Sequence, residues 1–155
     1  MSVAYLALGS NLGDKEANLQ RALQLLSEQG LQIKAVSGFL KTAPYGVTDQ
    51  PEFLNATACV ETVLPPAALL DLLLQTELKM GRVRLRHWGE RNIDLDLLLY
   101  DDLIYRSEQL TLPHPDMQNR FFVLQPLAEI AAAKIHPVFK KSIGNLLKSL
   151  TGGDE

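Results

Sequence analysis

Phe53-Leu54-Asn55-Ala56-Thr57-Ala58-Cys59-Val60-Glu61-Thr62-Val63 runs through Leu64 into Pro65-Pro66, and a leucine-rich segment then continues through Met80 to Gly81. The first part predicts a strand over 53–63. Phe53, Asn55, Thr57 and Cys59 fall on one face of an extended chain, and Leu54, Ala56, Ala58 and Val60 on the other. Pro65 and Pro66 suit the opening of a helix, and Gly81 suits its close, which predicts a helix through Met80. Helical spacing predicts that it buries Leu70, Leu73 and Leu74, with Glu77 on the same stripe one turn further on. A carboxylate on an apolar stripe lies at the rim or holds a specific partner.

The same punctuation recurs on both sides. Residues 3–8 read as a buried strand stopped by Gly9-Ser10-Asn11-Leu12-Gly13. A helix follows, with Asp14 as N-cap, Leu19, Ala22, Leu23 and Leu26 at helical spacing, and Gly30 at its end. Residues 31–40 alternate as a second strand, and 41–51 form a loop, long for a compact domain, carrying Pro44, Gly46 and Pro51. Downstream, 81–91 is irregular and 92–100 is a strand. Asp101-Asp102 turns into a short strand at 103–105, a helical segment starts near Met117, and 142–150 forms a last helix. The order β-α-β-β-α-β predicts an α/β (α+β) fold, a mainly antiparallel sheet with helices packed on it. With no repeat or linker in view, residues 1–155 read as one domain.

Composition narrows the function. Of 155 residues, 46% are hydrophobic and 21% charged, which marks a globular chain. A net charge of −3 and a pI near 5.6 argue against a general nucleic-acid binder, so any anionic ligand must meet a local basic cluster. The lone Cys59 excludes an internal disulfide and a cysteine zinc site. With no secretory pattern at the N-terminus and no apolar stretch of bilayer length, the expected setting is cytoplasmic, without membrane contact.

The chemistry concentrates in Ile93-Asp94-Leu95-Asp96-Leu97-Leu98-Leu99. On a strand, Asp94 and Asp96 point to one face, about 7 Å apart along the chain, with Leu95, Leu97 and Leu99 on the other. Two carboxylates on an apolar strand repel each other and resist desolvation, and a divalent metal relieves both. Mg²⁺ takes one or two protein carboxylates and completes its shell with phosphate oxygens and water. A strand with one wet face explains the pair equally simply. Immediately upstream, however, stand Arg82, Arg84, Arg86 and Arg91, with Lys79 and His87 nearby. Guanidinium groups bind phosphate oxygens bidentately, and MgATP presents both signs of charge at once. Trp88 within this loop either caps a bound ring or anchors the loop. Gly9 to Lys15 is not a P-loop, because only three residues separate the glycines and Asp14 precedes the lysine. Phe53 and Asn55 suit stacking on a flat heterocycle and bonding to its edge, and equally suit a core ring beside a turn-capping amide.

Together these segments resemble the 6-hydroxymethyl-7,8-dihydropterin pyrophosphokinase family. The resemblance rests on His87-Trp88-Gly89-Glu90-Arg91-Asn92-Ile93-Asp94-Leu95-Asp96-Leu97-Leu98, with further matches at 7–13, 41–46, 49–55 and 112–117. It implies a ferredoxin-like fold and a small-molecule kinase, expected to be monomeric, that moves pyrophosphate from ATP to the pterin hydroxymethyl oxygen in folate biosynthesis. Asp94 and Asp96 are then expected to hold two Mg²⁺ ions and, with Arg82 and Arg91, to carry catalysis. Arg82, Arg84, Trp88, Arg91, His114 and Arg120 are expected at the ATP, with Glu77, Leu97 and Thr111 near its nucleoside. Thr42, Ala43, Pro44, Tyr45, Phe53, Asn55 and Phe122 are expected to form the pterin pocket, the ring lying between Phe53 and Phe122. Ala43, Gln109 and Pro115 depart from the family's commoner residues. The competing readings are another metal-dependent phosphotransferase or phosphohydrolase using the same aspartates, and an RNA-binding α/β module.

Overall fold

The structure is a computed structural model that describes residues 1–42, 52–81 and 92–152. The sheet is built on β1 (Ser2–Ser10), which pairs antiparallel on both sides, with β4 (Phe53–Thr62) and with β5 (Asp94–Tyr100). On its far side β4 pairs with β2 (Gln32–Val36) and β3 (Leu40–Thr42). The order is therefore β2-β4-β1-β5, with β3 alongside β4 and β5 at an open edge. Helix α1 (Lys15–Glu28) joins β1 to β2, and α2 (Pro66–Lys79) joins β4 to β5. This is the expected ferredoxin-like α/β arrangement.

Local signals set the helix ends. The Asp14 side chain accepts the Ala17 N–H at 3.1 Å, satisfying one of the first-turn amides that have no partner inside the helix. Gly30 and Gly81 follow the two helices with φ of 103° and 72°, a conformation that disfavours other residues. Leu19, Ala22 and Leu26 of α1 and Leu69 and Leu73 of α2 pack on Ala4, Leu6, Leu8, Leu54, Ala56, Ala58, Val60, Leu95 and Leu97 of the sheet.

The opposite face has its own cover. A hairpin of β6 (Tyr105–Arg106) and β7 (Thr111–Leu112) leads to a 3-10 turn at Met117–Asn119, then α3 (Phe121–Ala131) and α4 (Ile143–Thr151). Leu98, Leu99, Met117, Val123, Leu124, Leu127, Ile143 and Leu146 form this second core, with Tyr5 and Ala7 against it.

Four features differ from the sequence-based expectation. The predicted strand over 31–40 breaks into β2 and β3. Between them the Ser37 N–H still reaches the Thr57 carbonyl at 2.9 Å, but Ser37 Oγ accepts the Thr57 N–H at 2.9 Å and Glu129 Oε1 on α3 accepts the Gly38 N–H at 2.8 Å, so side chains take over part of the ladder there. The short strand falls at 105–106 rather than 103–105 and finds its partner in β7. Helix α2 buries Leu69, Leu73, Thr76 and Glu77, while Leu74 is 46% exposed. Lastly, β5 bulges. Tyr5 pairs with Leu99 and Leu6 with Leu97, so Leu98 is an extra residue, and Leu99 joins the second core instead of following Leu95 and Leu97.

The helix face gives a stability test. Leu73→Ala is expected to cost about 2–5 kcal/mol, and Leu74→Ala no more than about 0.5 kcal/mol. Urea unfolding of the two variants checks this, and equal losses would contradict the face described.

Candidate active site

The register of β1 brings two pairs of side chains together. Gly9 pairs with Asp94 on one side and Asn55 on the other, while Ala7 pairs with Asp96 and Thr57. Cross-strand partners project to the same face. The two carboxylates therefore look across two small residues at Asn55 and Thr57, with Phe53 two residues before Asn55. Leu95 and Leu97, between and beyond the aspartates, point into the α1–α2 core.

Gly9 is the floor of this platform. A Cβ there would lie 3.1 Å from Asn55 Oδ1 and 3.7 Å from Phe53 Cδ1, so both side chains lean over the glycine. Asn55 is buried, and its Nδ2 donates to Thr42 Oγ1 at 2.6 Å. That bond ties β3 to the platform and fixes the direction of the amide. Phe53, Asp94 and Asp96 are half-buried, as suits groups that must meet a ligand.

His114 and Arg120 stand in the segment that leads into α3, and Phe122 in its first turn. The His114 backbone N–H donates to the carbonyl of the bulged Leu98 at 2.9 Å. Its ring Nδ1 lies 2.8 Å from the Pro115 carbonyl, which only accepts, so Nδ1 carries the proton and Nε2 is left as the acceptor. Burial pushes the His114 pKa down. The Arg120 charge adds to that, while the Asp94 and Asp116 carboxylates act in the opposite direction. Arg120 also lies 3.8 Å from Asp116 Oδ2, and its guanidinium carbon is 5.9 Å from the Phe122 ring centroid. Thr111 and His114 share the wall of a cavity of about 510 Å³ that reaches Arg106, His136 and Phe139.

Two expected residues lie away from this face. Leu97 is buried in the α1–α2 core. Glu77 is 4% exposed, and its Oε2 accepts the Leu95 N–H at 2.7 Å, which ties it to the edge of β5. Ala43, Pro44, Tyr45, Arg82, Arg84, Trp88 and Arg91 lie outside the described residues. Gly9 was not singled out for the site from sequence. Its part shows only once the register sets Asp94 and Asn55 on either side of it, and no local pattern announces that.

The donor set suits a hard cation that brings most of its own ligands. Asp94 and Asp96 supply oxygen from one face, and no group of three or more His, Cys, Asp or Glu side chains able to hold a metal occurs among the described residues. A pair of carboxylates completed by phosphate and water is the pattern of Mg²⁺ rather than of structural zinc.

Comparison with known proteins gives the family. A family model described as 7,8-dihydro-6-hydroxymethylpterin-pyrophosphokinase matches residues 5–132. A 2-amino-4-hydroxy-6-hydroxymethyldihydropteridine pyrophosphokinase of Haemophilus influenzae is 49% identical over 138 residues, covering 88% of this chain and 86% of that protein. The protein of the same name from Methylorubrum extorquens is 48% identical over 132 residues, covering 84% of each. The crystal structure of Plasmodium falciparum HPPK-DHPS with pteroate superposes on 97% of this chain with a TM-score of 0.80. At 15% identity that likeness concerns the fold, and this chain spans 42% of that one.

Burial holds the His114 and His136 pKa values below the ordinary value near 6.5. As the pH falls through that value the unfolded chain takes up protons that the folded chain refuses. Stability is then full above about pH 6.5 and falls as the pH drops toward the folded-state pKa values. Urea unfolding at pH 7.5 and 5.5 is expected to show the loss, and His114→Gln to reduce it. A His114 ring titrating at or above 6.5 by NMR would contradict the assignment.

Proposed function

The chain belongs to the 7,8-dihydro-6-hydroxymethylpterin-pyrophosphokinase family, and from that premise we propose that the platform across β4, β1 and β5 is where it transfers pyrophosphate from ATP to 6-hydroxymethyl-7,8-dihydropterin in folate biosynthesis. The observation that carries this reading is the Asp94–Gly9–Asn55 row, with Asp96 beside it. It sets a pair of carboxylates and a heterocycle-sized polar and aromatic patch on one face, about 10 Å apart across a glycine.

Each residue then has a part. Phe53 and Phe122 hold the pterin ring between them, and the Asn55 amide, oriented by Thr42, bonds to its edge. Thr42 leads directly into residues 43–51, where Ala43, Pro44 and Tyr45 complete the pocket in this reading. Asp94 and Asp96 would hold two Mg²⁺ ions, which supply charge neutralisation of the phosphates and a lowered pKa for the attacking hydroxyl. Arg82, Arg84, Arg91 and Arg120 meet the phosphate oxygens, and His114 joins them through Nε2 when that nitrogen is protonated. Trp88 also meets the ATP in this reading, with Thr111 near its nucleoside. The hydroxymethyl oxygen bonds to the β-phosphorus as the bridge to the α-phosphate breaks. AMP leaves with the bridging oxygen, and one of the two aspartates takes the hydroxyl proton.

This is chemistry between two small molecules, and every residue given a part lies on this one chain, which fits a monomeric cytoplasmic enzyme. No helix among the described residues is long and apolar enough to cross a membrane.

The test is AMP formation by the purified protein with MgATP, with and without the pterin. One equivalent of AMP per pterin consumed is expected. ADP, or phosphate released without pterin, would instead support the phosphohydrolase reading. Asp96→Ala is expected to lower turnover by at least about 10³-fold while leaving the circular dichroism spectrum intact, because charge stabilisation at the transferred group is the largest single catalytic contribution. Near-normal turnover in that variant would remove the metal role from Asp96.

A further inference from the structure

Glu77 sits in the last turn of α2, on the side of the sheet opposite the two aspartates. A leucine there would extend the stripe of Leu69 and Leu73, whereas a buried carboxylate is costly without a specific partner. One partner is the backbone of β5. Oε2 accepts the N–H of Leu95, the residue between Asp94 and Asp96, at 2.7 Å. Because β5 is an edge strand among the described residues, that amide faces away from β1 with no further described strand to receive it. One side chain of α2 therefore does, at a single point, what a neighbouring strand would do along a whole edge.

A second tether lies close by. Asn92 Nδ2 donates to the Met80 carbonyl at 2.7 Å, immediately before β5 begins and immediately after α2 ends. The start of β5 is thus held on one side by β1 and on the other by the end of α2. An edge strand has backbone N–H and C=O groups with no ladder partner, and carboxylates that share cations must keep a fixed spacing.

We propose that Glu77 is a positioning residue, holding the β5 backbone so that Asp94 and Asp96 present their carboxylates at the spacing a pair of divalent cations requires. This rests on the function proposed above, and it differs from a role for Glu77 at the nucleoside. A nucleoside contact sets the KM for ATP. A brace behind the metal ligands sets metal affinity and kcat, and partners of this kind typically change either by about 10–100-fold when removed.

The test compares Glu77→Gln, which keeps an acceptor of the same reach, with Glu77→Met, which keeps the volume and removes the acceptor. Two readouts are taken: Mn²⁺ binding in the presence of a methylene-bridged ATP analogue, by electron paramagnetic resonance, and steady-state kcat, ATP KM and half-saturating Mg²⁺. The Met variant is expected to bind Mn²⁺ at least about tenfold more weakly and to lose a similar factor in kcat, with ATP KM within about twofold; the Gln variant is expected to recover most of both. Asn92→Ala, which cuts the second tether, is expected to move the same quantities in the same direction, and it carries the test if the Met variant does not fold. Three results overturn the proposal: a raised ATP KM with unchanged Mn²⁺ affinity, a Gln variant as impaired as the Met variant, or tether variants that behave as the wild type. If the wild-type protein binds Mn²⁺ but makes no pterin-dependent AMP, the proposed function fails, and the Mn²⁺ comparison still decides the role of Glu77.

Discussion

Antiparallel pairing of β1 on both sides is the constraint from which the rest follows. A central strand cannot shift relative to either neighbour without moving its whole hydrophobic set to the wrong face. Leu6 and Leu8 are buried against α1 and α2, so the register is pinned from below. Pinning it also fixes what stands above: Asp94 and Asp96 on one flank, Asn55 and Thr57 on the other, and only Gly9 and Ala7 between. The same leucines that stabilise the sheet therefore aim the polar groups, and the site's geometry comes with the fold rather than from a separate device.

The upper face is divided between core and site, and the division falls at the bulge. Along β5, Asp94 and Asp96 face upward before it, while Leu98 and Leu99 join the second core after it. Regular alternation would keep Leu99 with Leu95 and Leu97. The extra residue changes the chemistry of the face from carboxylate to hydrocarbon within a single strand, and α3 and α4 cover the hydrocarbon end. It also turns the Leu98 carbonyl toward the His114 N–H. Bulges recur beside functional sites for this reason: they redirect groups that a regular ladder would consume.

Much of this was legible in the sequence, and the parts that were not share a physical cause. Where polar and apolar residues alternate or turn residues intervene, as in 53–63, at Asp14 and at Gly81, periodicity gave the element and its buried side. The Asp-x-Asp pair and its partner-seeking Glu77 were visible on the same grounds. Where the chain is apolar throughout, the pattern carries no phase. Leu97-Leu98-Leu99 reads the same with or without a bulge, and the run through Leu69, Leu70, Leu72, Leu73 and Leu74 allows more than one buried stripe, so Leu74 was placed inside when it faces out. The division of 31–40 into two strands depends on Glu129, nearly a hundred residues away, which no local window contains. Gly9 was silent for a related reason, since its value lies in what it lacks beside two other strands.

Edge placement explains why the carboxylates need more support than the groups opposite them. Asn55 and Phe53 stand on β4, which has strands on both sides, and Asn55 is further held by Thr42. Asp94 and Asp96 stand on β5, whose outer side is open to ligands and loops alike. An open edge gives phosphates and cations access that an interior strand would deny, but it leaves the strand free to move. Glu77 and Asn92 ease that conflict by tying the start of the strand to the end of α2, through one strand amide and one side-chain amide, without adding a further strand. A sixth strand would hold β5 more firmly at the cost of covering the approach to the aspartates.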